Sequence, residues 1–137
     1  MNLPIINIST EKWKEKYIDS YVSFDKFIYT DNDLIFKELY KDKVFCDCNG
    51  EIFKAIKKAE LTEKWRYWLK FIPNIWKREI IFEHTNKSLT VDELRNHLIA
   101  RISELSSSEL NLKEFNQKWK VALIKAKTHY ELINPEI

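Results

Sequence analysis

Glycine is almost missing: Gly50 is the only one in 137 residues. That excludes glycine-rich phosphate loops, which need several backbone positions free of side chains. With only three prolines, collagen-like and linker-like character is excluded too. Cysteine is scarce: Cys46 and Cys48 form one C-x-C pair. Residues two apart on a strand point the same way, but a bridge between them needs strained geometry. Both are expected as reduced thiols, which fits the cytosol. No run of about 18 apolar residues occurs, so no membrane-spanning helix is expected. The densest stretch, 65–76, is broken by Arg66, Lys70, Pro73 and Asn74. Met1 to Ile8 lacks the basic start and small-residue cleavage site of a signal peptide, so a cytoplasmic location is expected. Neither sign of charge dominates: 23 Lys+Arg stand against 21 Asp+Glu, a net of +2. This is not the balance of a strongly basic nucleic-acid binder or of an acidic mimic.

Apolar material is ample. The chain is 45% hydrophobic and 14% aromatic, which excludes disorder and suits one domain over residues 1–137. The sharpest local signal is Val44-Phe45-Cys46-Asp47-Cys48, then Asn49-Gly50, then Glu51 to Ile56. Asn-Gly favours a two-residue type I′ turn, in which both central residues take positive φ. A β-hairpin is expected, with Val44, Cys46 and Cys48 on one face and Phe45 and Asp47 on the other. Residues 3–8 suit a short strand or an extended arm, residues 22–29 are ambiguous, and 76–83 read as a further strand. Residues 61–72 fit helix or strand.

A helix is expected over 10–20, with Trp13, Tyr17, Ile18 and Tyr21 at helical spacing. A short helix over 34–40 follows, placing Leu34, Ile35 and Leu39 together, with Asp31 or Asp33 as cap. Thr90-Val91-Asp92-Glu93 is a capping box with Leu89 and Leu94 as hydrophobic staple. It opens a stripe of Leu94, Leu98, Ile102 and Leu105. Ser106 to Ser108 reads as a helix connection. Asn111 is the next cap, and its helix is expected to pass Trp119, Leu123, Ala126 and Tyr130 to about Ile133. Runs of strands beside runs of helices indicate α+β: an antiparallel sheet of hairpin plus third strand, helices on one face, and a C-terminal helical pair.

The chemistry-bearing residues do not assemble by spacing. A closed zinc site needs about four ligands. Beyond the two cysteines, only His84, His97 and His129 are further soft donors, and none is spaced as a pair with another ligand. A Cys–His nucleophile using Cys46 or Cys48 lacks motif context. The acid pairs Asp31/Asp33 and Asp92/Glu93 sit where helix starts favour them. No catalytic residue, metal or cofactor is expected.

Charge is polarised along the chain. Lys54, Lys57, Lys58, Lys64, Arg66, Lys70, Lys77 and Arg78 face only Glu60 and Glu63, and Trp65, Tyr67, Trp68, Phe71 and Trp76 interleave with them. Such a mixture suits a solvated element with an aromatic core, a protein interface, or stacking on single-stranded nucleic acid. Residues 19–51 carry a net of −4. Within them Asp31, Asp33, Glu38 and Asp42 form an acidic set suited to steering a basic protein partner.

The central block joins Asp47-Cys48-Asn49-Gly50-Glu51-Ile52 to the strand Glu79-Ile80-Ile81-Phe82-Glu83 and the capped helix Leu89-Thr90-Val91-Asp92-Glu93-Leu94. That layout resembles single-domain bacterial immunity proteins of polymorphic toxin and contact-dependent growth inhibition systems. The resemblance implies a non-enzymatic cytoplasmic protein that binds and occludes a cognate toxin domain. Partner-binding residues are then expected among Asp31, Asp33, Glu38 and Asp42, with Trp65, Arg66 and Trp68 as the competing face. The alternative expectation is a nucleic-acid-binding module using residues 54–78.

Overall fold

The computed structural model describes residues 1–9, 21–28, 33–59, 78–104 and 110–135. The strands are β1 (Ile5–Asn7), β2 (Val22–Ser23), β3 (Phe27–Ile28), β4 (Val44–Asp47), β5 (Glu51–Lys58) and β6 (Arg78–Ser88). The helices are α1 (Asp33–Leu39), α2 (Val91–Glu104), α3 (Leu110–Lys125) and α4 (His129–Ile133). This is the α+β architecture, with an antiparallel sheet and C-terminal helices. The helix expected over 10–20, the segment 61–72, Leu105 and the serine connection lie outside the described residues.

The sheet order is β2-β1-β4-β5-β6-β3. β2 and β3 therefore occupy opposite edges, yet only residues 24–26 separate them. Laid flat, five strand spacings would cover roughly 24 Å. The four backbone steps from Ser23 to Phe27 reach no more than about 14 Å. The sheet must curl to bring its edges together. Two register shifts between β5 and β6 supply local bending, near Glu51–Phe53 and Ala55–Lys57. Asn86, at a φ of 60°, sits within the first on the β6 side.

Curling gives the sheet two buried faces. Successive residues on a strand point opposite ways, so Ile5 and Ile6 enter different cores, as do Phe45 and Cys46. One core joins Ile6, Cys46 and Ile52 to Leu94, Leu98, Trp119, Leu123 and Leu132 of the C-terminal helices. The other gathers Ile5, Ile28, Phe45, Ala55 and Ile80 with Phe36 of α1. The C-terminal helices thus share one face, while α1 belongs to the other.

Helix ends follow side-chain chemistry. Thr90 N–H donates to Glu93 Oε1 and Glu93 N–H to Thr90 Oγ1, both at 3.2 Å, which is the expected capping box. α3 begins at Leu110, so Asn111 lies within its first turn instead of capping it. α3 also stops at Lys125 rather than running to Ile133. Arg95 receives its last carbonyls: the guanidinium donates to Leu123 O at 3.0 Å and also to Ala126 O. Thr128 then caps a new helix, accepting from Glu131 N–H at 3.1 Å. The Thr128-x-x-Glu131 pattern repeats that of Thr90-x-x-Glu93. Tyr130 consequently faces solvent instead of extending the α3 stripe.

The hairpin turn differs from the expected type. Gly50 N–H donates to Asp47 O at 3.0 Å, and Gly50 alone takes a left-handed φ, of +84°. This is a three-residue loop, 48–50, with glycine at its left-handed position. The reason is Asp47. Its wholly buried carboxylate accepts from Asn49 and Glu51 N–H at Oδ1 and from Asn2 N–H at Oδ2, each at 3.0 Å. Gly50 also packs without room: a Cβ there would fall 2.4 Å from His129 Nε2 and 2.5 Å from Leu89 O.

Asp47→Ala strands three amide donors and should lower unfolding free energy by about 3 kcal/mol or more in urea titrations. Gly50→Ala should cost more than about 1 kcal/mol, since it adds strain to a clash. Near-wild-type midpoints for both variants would contradict this account of the turn.

A candidate protein-docking surface on helix α1

Helix α1 reads Asp-Leu-Ile-Phe-Lys-Glu-Leu and buries only Phe36. It carries two apolar stripes, Phe36/Tyr40 and Leu34/Ile35/Leu39, and only one can face the protein. The aromatic stripe faces inward. Phe36 stacks on Tyr40 and Tyr40 on Phe45, with centroids 6.1 Å apart in each case, and Phe45 meets Phe82 edge-on at 5.5 Å. Burial pushes the Tyr40 hydroxyl above its usual range, opposed by a hydrogen bond with the Ser23 side chain. Asp42, at a φ of 62°, ends the helical turn and donates its N–H to Ala55 O at 2.8 Å, tying α1 to β5.

The stripe of Leu34, Ile35 and Leu39, expected on one side of this helix, therefore turns outward. Leu34 is 76% exposed, Ile35 40% and Leu39 53%. Residues three and four apart share a helix face, so Glu38 lies among these three side chains. The result is an apolar surface with a carboxylate at its centre. Phe24, in the β2–β3 link, is also largely exposed. Large apolar side chains gathered on one exposed element mark interaction surfaces more often than scattered single ones.

The acidic set is only partly brought together. Asp33, Glu38 and Asp42 all lie on α1 or the turn after it, and all are exposed. Asp33 pairs with Lys58 Nζ at 2.5 Å and Asp42 with Lys54 Nζ at 3.7 Å. β5 lysines thus offset two of the three charges, which leaves Glu38 as the acid that stands within the apolar face. Asp31, Trp65, Arg66 and Trp68 lie outside the described residues. Of the basic segment 54–78, Lys54 and Lys58 are engaged with these carboxylates, and Arg78 is buried at 6% exposure.

Set against family models, curated proteins and solved structures, the chain matches none of them. The candidate surface therefore stands on its geometry.

The remaining chemistry-bearing residues hold the fold. Cys46 Sγ lies 3.5 Å from Asp47 O and Cys48 Sγ 3.6 Å from Leu3 O. Burial first, then the Asp47 charge, pushes the Cys46 thiol up to about 12 and raises Cys48 as well. Neither is tuned toward the thiolate a nucleophile needs. His84 Nδ1 accepts from Asn86 N–H at 2.8 Å, while its ring meets Phe53 edge-on at 4.8 Å. His129 Nε2 lies 2.7 Å from Leu89 O. Burial and then Arg101 hold His97 below its usual range. Among the described residues no three potential metal ligands form a group, and no helix is long and apolar enough to cross a membrane.

With both thiols held protonated, iodoacetamide at pH 8 should modify Cys48 before Cys46, and both far more slowly than in urea. Mass spectrometry of timed quenches reads this directly. Rapid labelling of Cys46 in the folded protein would contradict its burial.

Proposed function

We propose that this chain is a non-enzymatic immunity protein that binds a cognate bacterial toxin domain and occludes it. The observation that carries the binding part is the outward face of α1: Leu34, Ile35 and Leu39 around Glu38. Burying such a face against a partner supplies the apolar core of an interface. An amphipathic helix of this kind fits a groove with an apolar floor. Glu38, with Asp33 and Asp42 at the edges, adds electrostatic steering toward a basic rim. The choice of a toxin as partner is supported by the resemblance of the block from Val44 to Ile102 to immunity proteins. Occlusion needs no catalytic group on the binder, which suits thiols held protonated and the engagement of His84 and His129 by backbone and aromatic neighbours.

The test is co-expression with the C-terminal domain of a secreted protein encoded directly upstream. That domain should co-purify with the wild-type chain and lose its toxicity. Leu34→Asp with Leu39→Asp should abolish capture while circular dichroism stays unchanged. Glu38→Lys should slow association about tenfold at low salt and less at high salt. Failure of the wild-type chain to bind that domain would overturn the reading. So would capture that is indifferent to all three substitutions.

A further inference from the structure

The Asn49-Gly50 pair shapes the hairpin, and it also carries chemistry of its own. An asparagine followed by glycine can lose ammonia to its own backbone, because no side chain on the next residue blocks the approach. The Gly50 nitrogen gives up its proton to base and attacks Asn49 Cγ. A C–N bond forms, the Cγ–Nδ2 bond breaks, and the proton departs with the ammonia. Water then adds across either C–N bond of the cyclic imide and leaves aspartate or isoaspartate. Gly50 is the only glycine, so this is the only such pair in the chain.

The fold restrains this reaction at its first step. The Asn49 side chain is exposed, but Gly50 is buried. The Gly50 N–H, which base must remove, is donated to Asp47 O at 3.0 Å. The N–H groups of Asn49 and Glu51 are both held on Asp47 Oδ1 at 3.0 Å, which pins the backbone on either side. The products also fit unequally. Aspartate alters only an exposed side chain. Isoaspartate moves Cβ of residue 49 into the main chain and lengthens it by about 1.5 Å. Gly50 has no room to shift by that much: its carbonyl accepts from Leu89 N–H at 2.8 Å, and even an added Cβ would fall 2.4 Å from His129 Nε2.

We propose that Asn49 is a deamidation site gated by the Asp47 turn. The folded chain is protected. A chain whose turn has opened reacts, and one that becomes isoaspartate at position 49 is shut out of the fold. Turn opening, a reversible event, is thereby made permanent at one residue. The inference is independent of the toxin reading, because it requires only the chain itself.

Mass spectrometry of the wild-type chain tests both halves. The folded chain, the chain in guanidinium chloride and a synthetic peptide spanning Val44 to Lys54 are incubated at pH 8 with a reductant. Asn49 should convert at similar rates in the peptide and the unfolded chain, and at least about a hundredfold more slowly in the folded chain. Chains aged in guanidinium are then refolded and treated briefly with a protease that destroys unfolded protein. The two acids have equal mass and are told apart by fragmentation. Surviving chains should carry aspartate at position 49 and be depleted of isoaspartate about tenfold or more against the untreated mixture. A folded chain that deamidates within a few-fold of the peptide would overturn the gate. Isoaspartate chains that survive the protease as well as aspartate chains would overturn the exclusion from the fold.

Discussion

The buried carboxylate of Asp47 is the constraint on which the rest of the structure depends. One side chain gathers the amides of Asn2, Asn49 and Glu51. The first ties the N-terminal segment to β4, and the other two shape the turn into β5. The turn in turn sets Gly50, whose carbonyl accepts from Leu89 N–H at 2.8 Å and whose missing side chain admits His129. Strand pairing, hairpin geometry and the docking of the C-terminal helices therefore meet at one residue. A charged group buried without partners would cost several kcal/mol, whereas three charge-assisted hydrogen bonds make it a fixed point.

From that point the sheet is obliged to bury both faces. A curled sheet with apolar residues on each side needs cover on each side. Three helices supply it on one side. On the other, the curl itself and the Phe36–Tyr40 stripe of α1 do so. α1 is only seven residues long, and it spends its aromatic side on the core. Its remaining apolar side chains stand at the surface around Glu38.

Much of this was legible in the chain. The hairpin faces follow from strict alternation, and α2 from a capping box and a stripe of leucines. What the residues concealed has physical causes. The Asn49-Gly50 pair suggested a two-residue turn because its propensity is local, whereas Asp47 acts through three amides, one of them 45 residues away. The break after α3 was readable in Thr128 and Glu131, but the stripe through Trp119 and Leu123 points past it, and the Arg95 clamp is a long-range contact. For α1, periodicity identifies apolar stripes without saying which one faces inward. Stacking on Phe45 decides that, and it leaves Leu34, Ile35 and Leu39 outside. Glu38 was singled out for its charge alone. Its value as a site residue comes from those apolar neighbours, which its acidic companions Asp33 and Asp42, paired with lysines, do not share.

The central claim is that α1 keeps its aromatic side in the core and offers Leu34 and Leu39 to solvent. The most direct measurement is methyl NMR of the dilute protein at moderate salt with a soluble paramagnetic agent. The Leu34 and Leu39 methyls should relax strongly, while those of Leu94, Leu98 and Leu123 should be almost unaffected. If Leu34 and Leu39 are as protected as Leu98, that face belongs to the core and the docking surface does not exist.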